Sequence, residues 1–357
     1  MEIKRKKTKS VKIGNVTIGS LHPIAIQSMT KTKTSDVEAT LKQIRELAGQ
    51  GCQIVRLAIK DAADAAALKK IKAGSKIPLV ADIHFSYKLA IAAIENGADK
   101  IRLNPGNIDK PEEINTVVSA LKQARIPLRI GLNSGSVKDN GPRKSSMTDR
   151  LVKSCLNYVK IIEKQKFHNI VISLKANNVL DTIESYRKVS RLCGYPLHLG
   201  LTATGSSFNG VIKSSVAIGA LLLEGIGDTI RVSLTDNPVE EVKAAKGILG
   251  SLGLFTSGIQ IISCPTCGRC EVDLINIVKE LEAKIGCQRL VKRSDPLKIA
   301  IMGCVVNGPG EAKGVDLGLA FGKNEGLLFS NGKIVRKIAA KDSVNVLLNE
   351  IKQRAKT

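Results

Sequence analysis

Tryptophan is absent from the 357 residues, and aromatic side chains make up only 3% of them. So thin an aromatic content argues against a base-stacking platform for single-stranded nucleic acid. Acids are also scarce: 32 Asp and Glu stand against 55 Lys and Arg, a formal net charge of +23. Such a balance raises nucleic acid as a partner. The cations, however, are spread along the whole chain instead of being blocked into one arm or helix, the pattern of a solvated surface. Long hydrophobic runs are missing as well. The longest, around Val216–Leu223, is far too short to span a bilayer. The basic start, MEIKRKKTKS, lacks the apolar run of a secretory signal. The expectation is a globular cytoplasmic protein with neither a membrane nor a nucleic-acid partner. Its length allows one large domain and a smaller one.

What is present is a rhythm. Up to about residue 250, eight short apolar runs alternate with helical patterns: 23–28, 53–59, 78–85, 100–105, 127–133, 169–176, 196–202 and 229–234. Helix starts are signalled between them by Ser35 with Glu38 at capping-box spacing, by Pro111 before two glutamates, and by Asn237–Pro238. Eight β-α units over this length predict a (β/α)8 TIM barrel, with a doubly wound open sheet as the alternative.

Cations interrupt these strands. Arg56, Arg102, Arg129, Lys175 and Arg231 each sit inside an otherwise apolar run. Period-two alternation gives them polar companions on the same faces: Asn104, Asn133, Ser173 with Asn177, and Ser233. Asp82 and His84 form a similar pair on the third run, and Asp82 is the one acid placed on these faces. The outer face of a barrel strand lies against helices, where an unpaired charge costs several kcal/mol. The side chains are therefore expected in the barrel mouth, at the C-terminal strand ends. Five converging cations call for a highly charged anion, and guanidinium forks fit phosphate oxygens. The pattern predicts a phosphorylated small molecule, a diphosphate above all.

After residue 250 the rhythm changes. A boundary is expected at 250–257, separating a barrel over 1–250 from a small α/β domain over 258–357. A helix is expected over 272–285, and Asn331–Gly332 reads as a hairpin turn. Of eight cysteines, Cys52, Cys155 and Cys193 stand alone and read as small buried hydrophobes. Cys264, Cys267, Cys270, Cys287 and Cys304 all fall in the last hundred residues. C-x2-C-x2-C resembles the start of a ferredoxin-type run. A zinc site would want a second C-x2-C or a Cys/His pair downstream, and neither appears. The spacing points to a [4Fe–4S] cluster with two open ligand sets: Cys264, Cys267, Cys270 and Cys304, or a set in which something weaker replaces one thiolate.

The motifs PIAIQSMT, VADIHF, RLNPGN, RIGLNSGS, SLKA, HLGLT, EGIGDTIRVSL, CPTCGR and GCVVNGPGEA, spread over almost the whole chain, resemble those of the 4-hydroxy-3-methylbut-2-en-1-yl diphosphate synthases. The resemblance implies an iron–sulfur oxidoreductase of the non-mevalonate isoprenoid pathway, made of a barrel fused to a cluster domain. It implies 2-C-methyl-D-erythritol 2,4-cyclodiphosphate as substrate, clamped by Arg56, Arg102, Arg129, Lys175 and Arg231 with Asn133 and Ser233. It selects Cys264, Cys267, Cys304 and Glu311 as cluster ligands, a carboxylate being the harder and more exchangeable one. Flavodoxin or ferredoxin would supply electrons, and a homodimer would set one protomer's cluster domain over its partner's barrel. Two positions depart from the family pattern. Ala203 stands where a glutamate is usual, leaving Glu311, His84 and Asp82 as the acid–base candidates, and Cys270 is an extra thiol. Two rivals remain at this level: a non-reductive iron–sulfur lyase and a basic RNA-binding protein with a structural metal.

Overall fold

The computed structural model describes residues 3–20, 22–137, 145–202, 204–255, 258–286, 297–304, 310 and 314–354. Glu311, Ala203 and Cys287 lie outside them. The chain divides into two compact units, Met1–Leu254 and Phe255–Thr357.

The first unit opens with a small hairpin, β1 (Val11–Ile13) and β2 (Val16–Ile18), which the short strands hide from any periodicity argument. Eight parallel strands follow: β3 (Ala25–Met29), β4 (Ile54–Ile59), β5 (Leu79–Ile83), β6 (Lys100–Leu103), β7 (Leu128–Asn133), β8 (Ile170–Lys175), β9 (His198–Leu199) and β10 (Thr229–Ile230). They pair in the order β8-β7-β6-β5-β4-β3-β10-β9. A parallel bridge between Ile172 and Leu197 closes the ring, and each strand is followed by a helix, so the fold is a (β/α)8 barrel.

All eight anticipated runs are strands, although the last two ladders are short. Past Leu199 the chain passes Gly200, where a Cβ would lie 2.7 Å from Lys175 Nζ and 2.5 Å from the Arg231 carbonyl. One helix start shifts. The first helix, α1 (Val37–Gly49), is capped by Asp36, whose carboxylate accepts from Ala39 N at 3.0 Å. Ser35 instead donates its backbone N–H to Asp64. Pro111 and Pro238 open their helices at the first turn, as expected.

The hairpin plugs the base of the barrel. Val11, Ile13 and Ile18 pack on Ala25, Ile54, Val80 and Val171, the lowest inward residues of β3, β4, β5 and β8. Apolar closure at the bottom leaves the polar inward residues for the layers above.

The second unit is a five-stranded mixed sheet, β11 (Ile259–Ser263), β12 (Leu297–Met302), β13 (Leu317–Phe321), β14 (Glu325–Ser330) and β15 (Lys333–Ala339), in that order. The first three are parallel and the last two antiparallel. The Asn331–Gly332 turn joins β14 to β15, both residues having positive φ as such hairpins require. A helix over Leu274–Gly286, capped by Asp273, begins two residues later than the pattern suggested. It packs with the closing helix, Ser343–Arg354, on a core of Leu297, Ile299, Leu317 and Leu319. Among the described residues no helix is long and apolar enough to cross a membrane.

Candidate functional site

The five strand cations share one cavity of about 230 Å³ in the barrel unit. Its walls are Arg56, Arg102, Arg129, Lys175 and Arg231, with Asp82, His84, Asn133, Ser173 and Ser233. Period-two alternation thus brings ten of the twelve barrel residues singled out above to one place. Asn104 and Asn177 behave otherwise. Asn104 is buried and its Oδ1 accepts from Gly106 N (3.1 Å) and Ser136 Oγ (3.2 Å), tying down the loops after β6 and β7. Asn177 is exposed and is not part of the wall.

Asp82 organises one side. Its carboxylate meets Arg102 Nη1 at 3.0 Å, Arg56 Nε at 3.6 Å and His84 Nε2 at 3.4 Å. Burial pushes this carboxyl up, but Arg56, Arg102, the His84 hydrogen bond and Arg129 together outweigh burial and hold it well below the usual carboxylate range. The other Arg102 nitrogen donates to Gly131 O at 2.9 Å. A Cβ at 131 would lie 2.7 Å from Arg102 Nε, so glycine is what admits the guanidinium.

The opposite side carries a residue that strand patterns could not reveal. Glu241 projects from the helix Pro238–Ser251 and is 1% exposed. It accepts from Arg231 Nε (3.2 Å), Arg231 Nη2 (3.0 Å), Ser28 Oγ (3.0 Å) and Leu234 N (3.1 Å). Asp82 is therefore not the sole acid of the site; a helix supplies the second, and helix residues fall outside a period-two reading. Arg231 Nη1 also donates to Ser233 Oγ at 2.6 Å.

The remaining cations are poorly matched. Arg56 turns Nε and Nη2 onto the Met29 thioether, a weak acceptor. Arg129 is 1% exposed, and its Nε and Nη1 are buried without a partner. Lys175 is 5% exposed with no carboxylate within ion-pair distance among the described residues. Burial, then Arg231, Arg56, Arg129 and Arg102, pull its amine well below the ordinary lysine range. Five cations confront two carboxylates around one small cavity. That imbalance is a site for a compact polyanion, because an anion restores the missing hydrogen-bond acceptors and the missing charge together.

In the second unit, the cysteine loops leave the C-terminal ends of the adjacent parallel strands β11 and β12, where Ser263 is in register with Ile301. Neighbouring strand ends of this kind are where open α/β sheets hold ligands. Gly303 N–H donates to Cys264 Sγ at 3.3 Å, as backbone amides do to cluster sulfurs. A Cβ on Gly303 would collide with Cys270 Sγ and sit 3.4 Å from Cys264 Sγ. Cys264 and Cys270 therefore flank the residue that precedes Cys304. Cys267 is exposed, and Cys304 is half-buried. Among the described residues, no three His, Cys, Asp or Glu side chains are already gathered as a metal site. The donor set is soft, and Gly303 leaves the space between its thiols clear, so the residues fit an iron–sulfur cluster. Cys52 and Cys155 are buried, with thiols pushed up by burial, to about 12 for Cys52. Cys193 is only partly buried.

A closed (β/α)8 barrel with a cationic mouth, joined to a thiol-bearing α/β unit, is the build of a barrel enzyme whose mouth suits an anion. Comparison with known proteins names the family. Residues 8–246 match the GcpE TIM-barrel domain and residues 260–353 the GcpE protein C-terminal domain. The chain belongs to the GcpE family. It is 52% identical over 354 residues to the 4-hydroxy-3-methylbut-2-en-1-yl diphosphate synthase (flavodoxin) of Lawsonia intracellularis, covering 97% of this chain and 96% of that protein. It is 53% identical over 349 residues to the protein of the same name from Clostridium perfringens, covering 97% and 99%. Among solved structures, a dihydropteroate synthase of Xanthomonas albilineans aligns with a TM-score of 0.52 at 14% identity, over 69% of this chain and 98% of that one. That likeness shows the barrel and nothing of its chemistry.

Proposed function

We propose that the chain is a reductive 4-hydroxy-3-methylbut-2-en-1-yl diphosphate synthase, opening the ring of 2-C-methyl-D-erythritol 2,4-cyclodiphosphate and removing one hydroxyl oxygen as water at the expense of two electrons and two protons. The observation that carries the reading is the excess of cations over carboxylates around one small cavity, which suits a diphosphate. The names of the relatives, over almost their full length, support the rest.

In this reading the barrel does the holding. Arg56, Arg102, Arg129, Lys175 and Arg231 grip the phosphate oxygens, while Asn133 and Ser233 add hydrogen bonds. Asp82 keeps Arg56 and Arg102 apart and aimed into the cavity. His84 is the half-exposed member of the Asp82 cluster, its Nε2 3.4 Å from the carboxylate, and in this reading it is the side chain that exchanges a proton with the bound ligand. Ala203 offers no proton. Cys264, Cys267 and Cys304, with Glu311, would hold a [4Fe–4S] cluster. Such a cluster supplies electrons one at a time and a Lewis-acidic iron where its carboxylate ligand exchanges. Flavodoxin or ferredoxin is the electron donor, the strongly basic chain attracting an acidic partner. The working form is a homodimer, with one protomer's cluster domain over its partner's barrel.

The test is anaerobic reconstitution with iron and sulfide, followed by turnover of the cyclodiphosphate with a reduced low-potential donor. Product formation strictly dependent on electrons is expected. Ring opening that proceeds without a reductant would overturn the proposal in favour of a non-reductive lyase.

A further inference from the structure

Beneath the cavity lies a second polar layer that the holding scheme above does not use. Lys100 precedes Arg102 by two positions on β6 and so shares its inward face. It has no exposed surface. Its one hydrogen-bond partner among the described residues is Gln27 Oε1, at a long 3.5 Å. Facing it are Gln27 from β3, Arg56 from β4, Arg129 from β7 and His198 from β9. Asp82 on β5 is committed to Arg56, Arg102 and His84. Lys175 on β8 adds further positive charge around His198, and Thr229 on β10 is bonded to His198 Nδ1 at 2.7 Å.

The layer is under-satisfied. Gln27 Nε2, Arg129 Nε, Arg129 Nη1 and His198 Nε2 are all buried without partners. An ammonium with no counter-charge is strongly disfavoured in such a place, and a neutral amine is not. Burial, reinforced by Arg129 and Arg56, accordingly pulls the Lys100 amine well below the ordinary lysine range. Arg129 belongs both to this layer and to the cavity wall above. A dianion gripped by Arg129 and Arg56 would cancel the two charges that keep Lys100 neutral.

We propose that Lys100 is a further binding residue of the diphosphate site, acting from beneath it, and that entry of the anion is matched by uptake of one solvent proton on its amine. The proposal rests on the reading that the cavity holds a diphosphate. Affinity then falls as pH rises above the amine's pKa in the free protein, by about tenfold per pH unit, until the pKa of the complex is reached.

Inorganic pyrophosphate is the probe. Its binding heat, measured in two buffers of different ionisation enthalpy and corrected for the ligand's own ionisation, counts the protons taken up. The wild-type protein is expected to take up protons. Lys100→Met is expected to take up about one fewer, to bind about tenfold more weakly near neutral pH, and to flatten the pH profile; Lys100→Gln serves if the first variant does not fold. Proton uptake that is absent from the wild-type protein, or unchanged in both Lys100 variants and lost only in Lys175→Met or His198→Asn, overturns the proposal while leaving the diphosphate site standing. Failure of pyrophosphate to bind at all overturns both.

Discussion

Asp82→Asn is the perturbation that interrogates the barrel mouth most directly. The carboxylate stands 3.0 Å from Arg102 and 3.6 Å from Arg56, and all three side chains are largely or fully buried. At an effective dielectric constant of about 20, each contact is a gross attraction of about 5 kcal/mol. Desolvation of the carboxylate offsets much of this in the intact protein. In the variant that offset is already gone from the carboxylate but remains for the two guanidiniums, which keep their burial and lose their counter-ion. Breaking a buried pair on one side typically costs about 3–5 kcal/mol. For a domain of this size each kcal/mol moves Tm by about 2–4 °C, so a fall of about 10 °C is expected. The sign of the pH dependence follows from the depressed carboxyl. Its contribution is present above the unfolded-state pKa, near 4, and is lost only as pH falls through the lower folded value. The difference between wild type and variant should therefore stay flat from about pH 5 to pH 9 and shrink only in strong acid. Urea unfolding followed by circular dichroism, with and without inorganic pyrophosphate, is the assay. Pyrophosphate should restore more stability to the variant than it adds to the wild type, since the anion replaces the lost charge. A variant within about 0.5 kcal/mol of wild type, or one that pyrophosphate fails to rescue, would refute the electrostatic account.

Glu241→Gln should lower stability by about 2–4 kcal/mol in urea and raise KM more than it lowers kcat, because Arg231 loses the fork that aims it. Gly303→Ala should prevent the reconstituted protein from developing cluster absorbance, as the new methyl group occupies the space between Cys264 and Cys270; an unchanged spectrum would show that this space is not used. Cys264→Ser should abolish the cluster outright, whereas Cys270→Ser should retain it; the reverse result would exchange their roles. Restoring a carboxylate with Ala203→Glu should raise turnover about 100-fold or more if the acid–base step limits it, judged from single-turnover rates.

The motifs and strand rhythm announced the barrel and most of its mouth because both are local. A strand cation at an alternating position shows its face within five residues, and eight such runs need no knowledge of one another. The same reasoning could have reached Lys100, which lies two positions before Arg102, but its significance depends on what faces it. Gln27, Arg129 and His198 come from three other strands, and only closure of the ring brings them together.

The sequence by itself therefore determined the class of fold, the charge of the mouth and the thiol constellation, since each is written in short-range periodicity or spacing. Tertiary structure alone decided the pairings. It sent Glu241 from a helix to Arg231, turned Asn104 to its own loop, moved a helix cap from Ser35 to Asp36, and left Lys100 with no acid in hydrogen-bond reach among the described residues. Burial is the physical reason: a charge becomes consequential only when water is removed from it, and which charges lose their water is settled by residues far away in the chain.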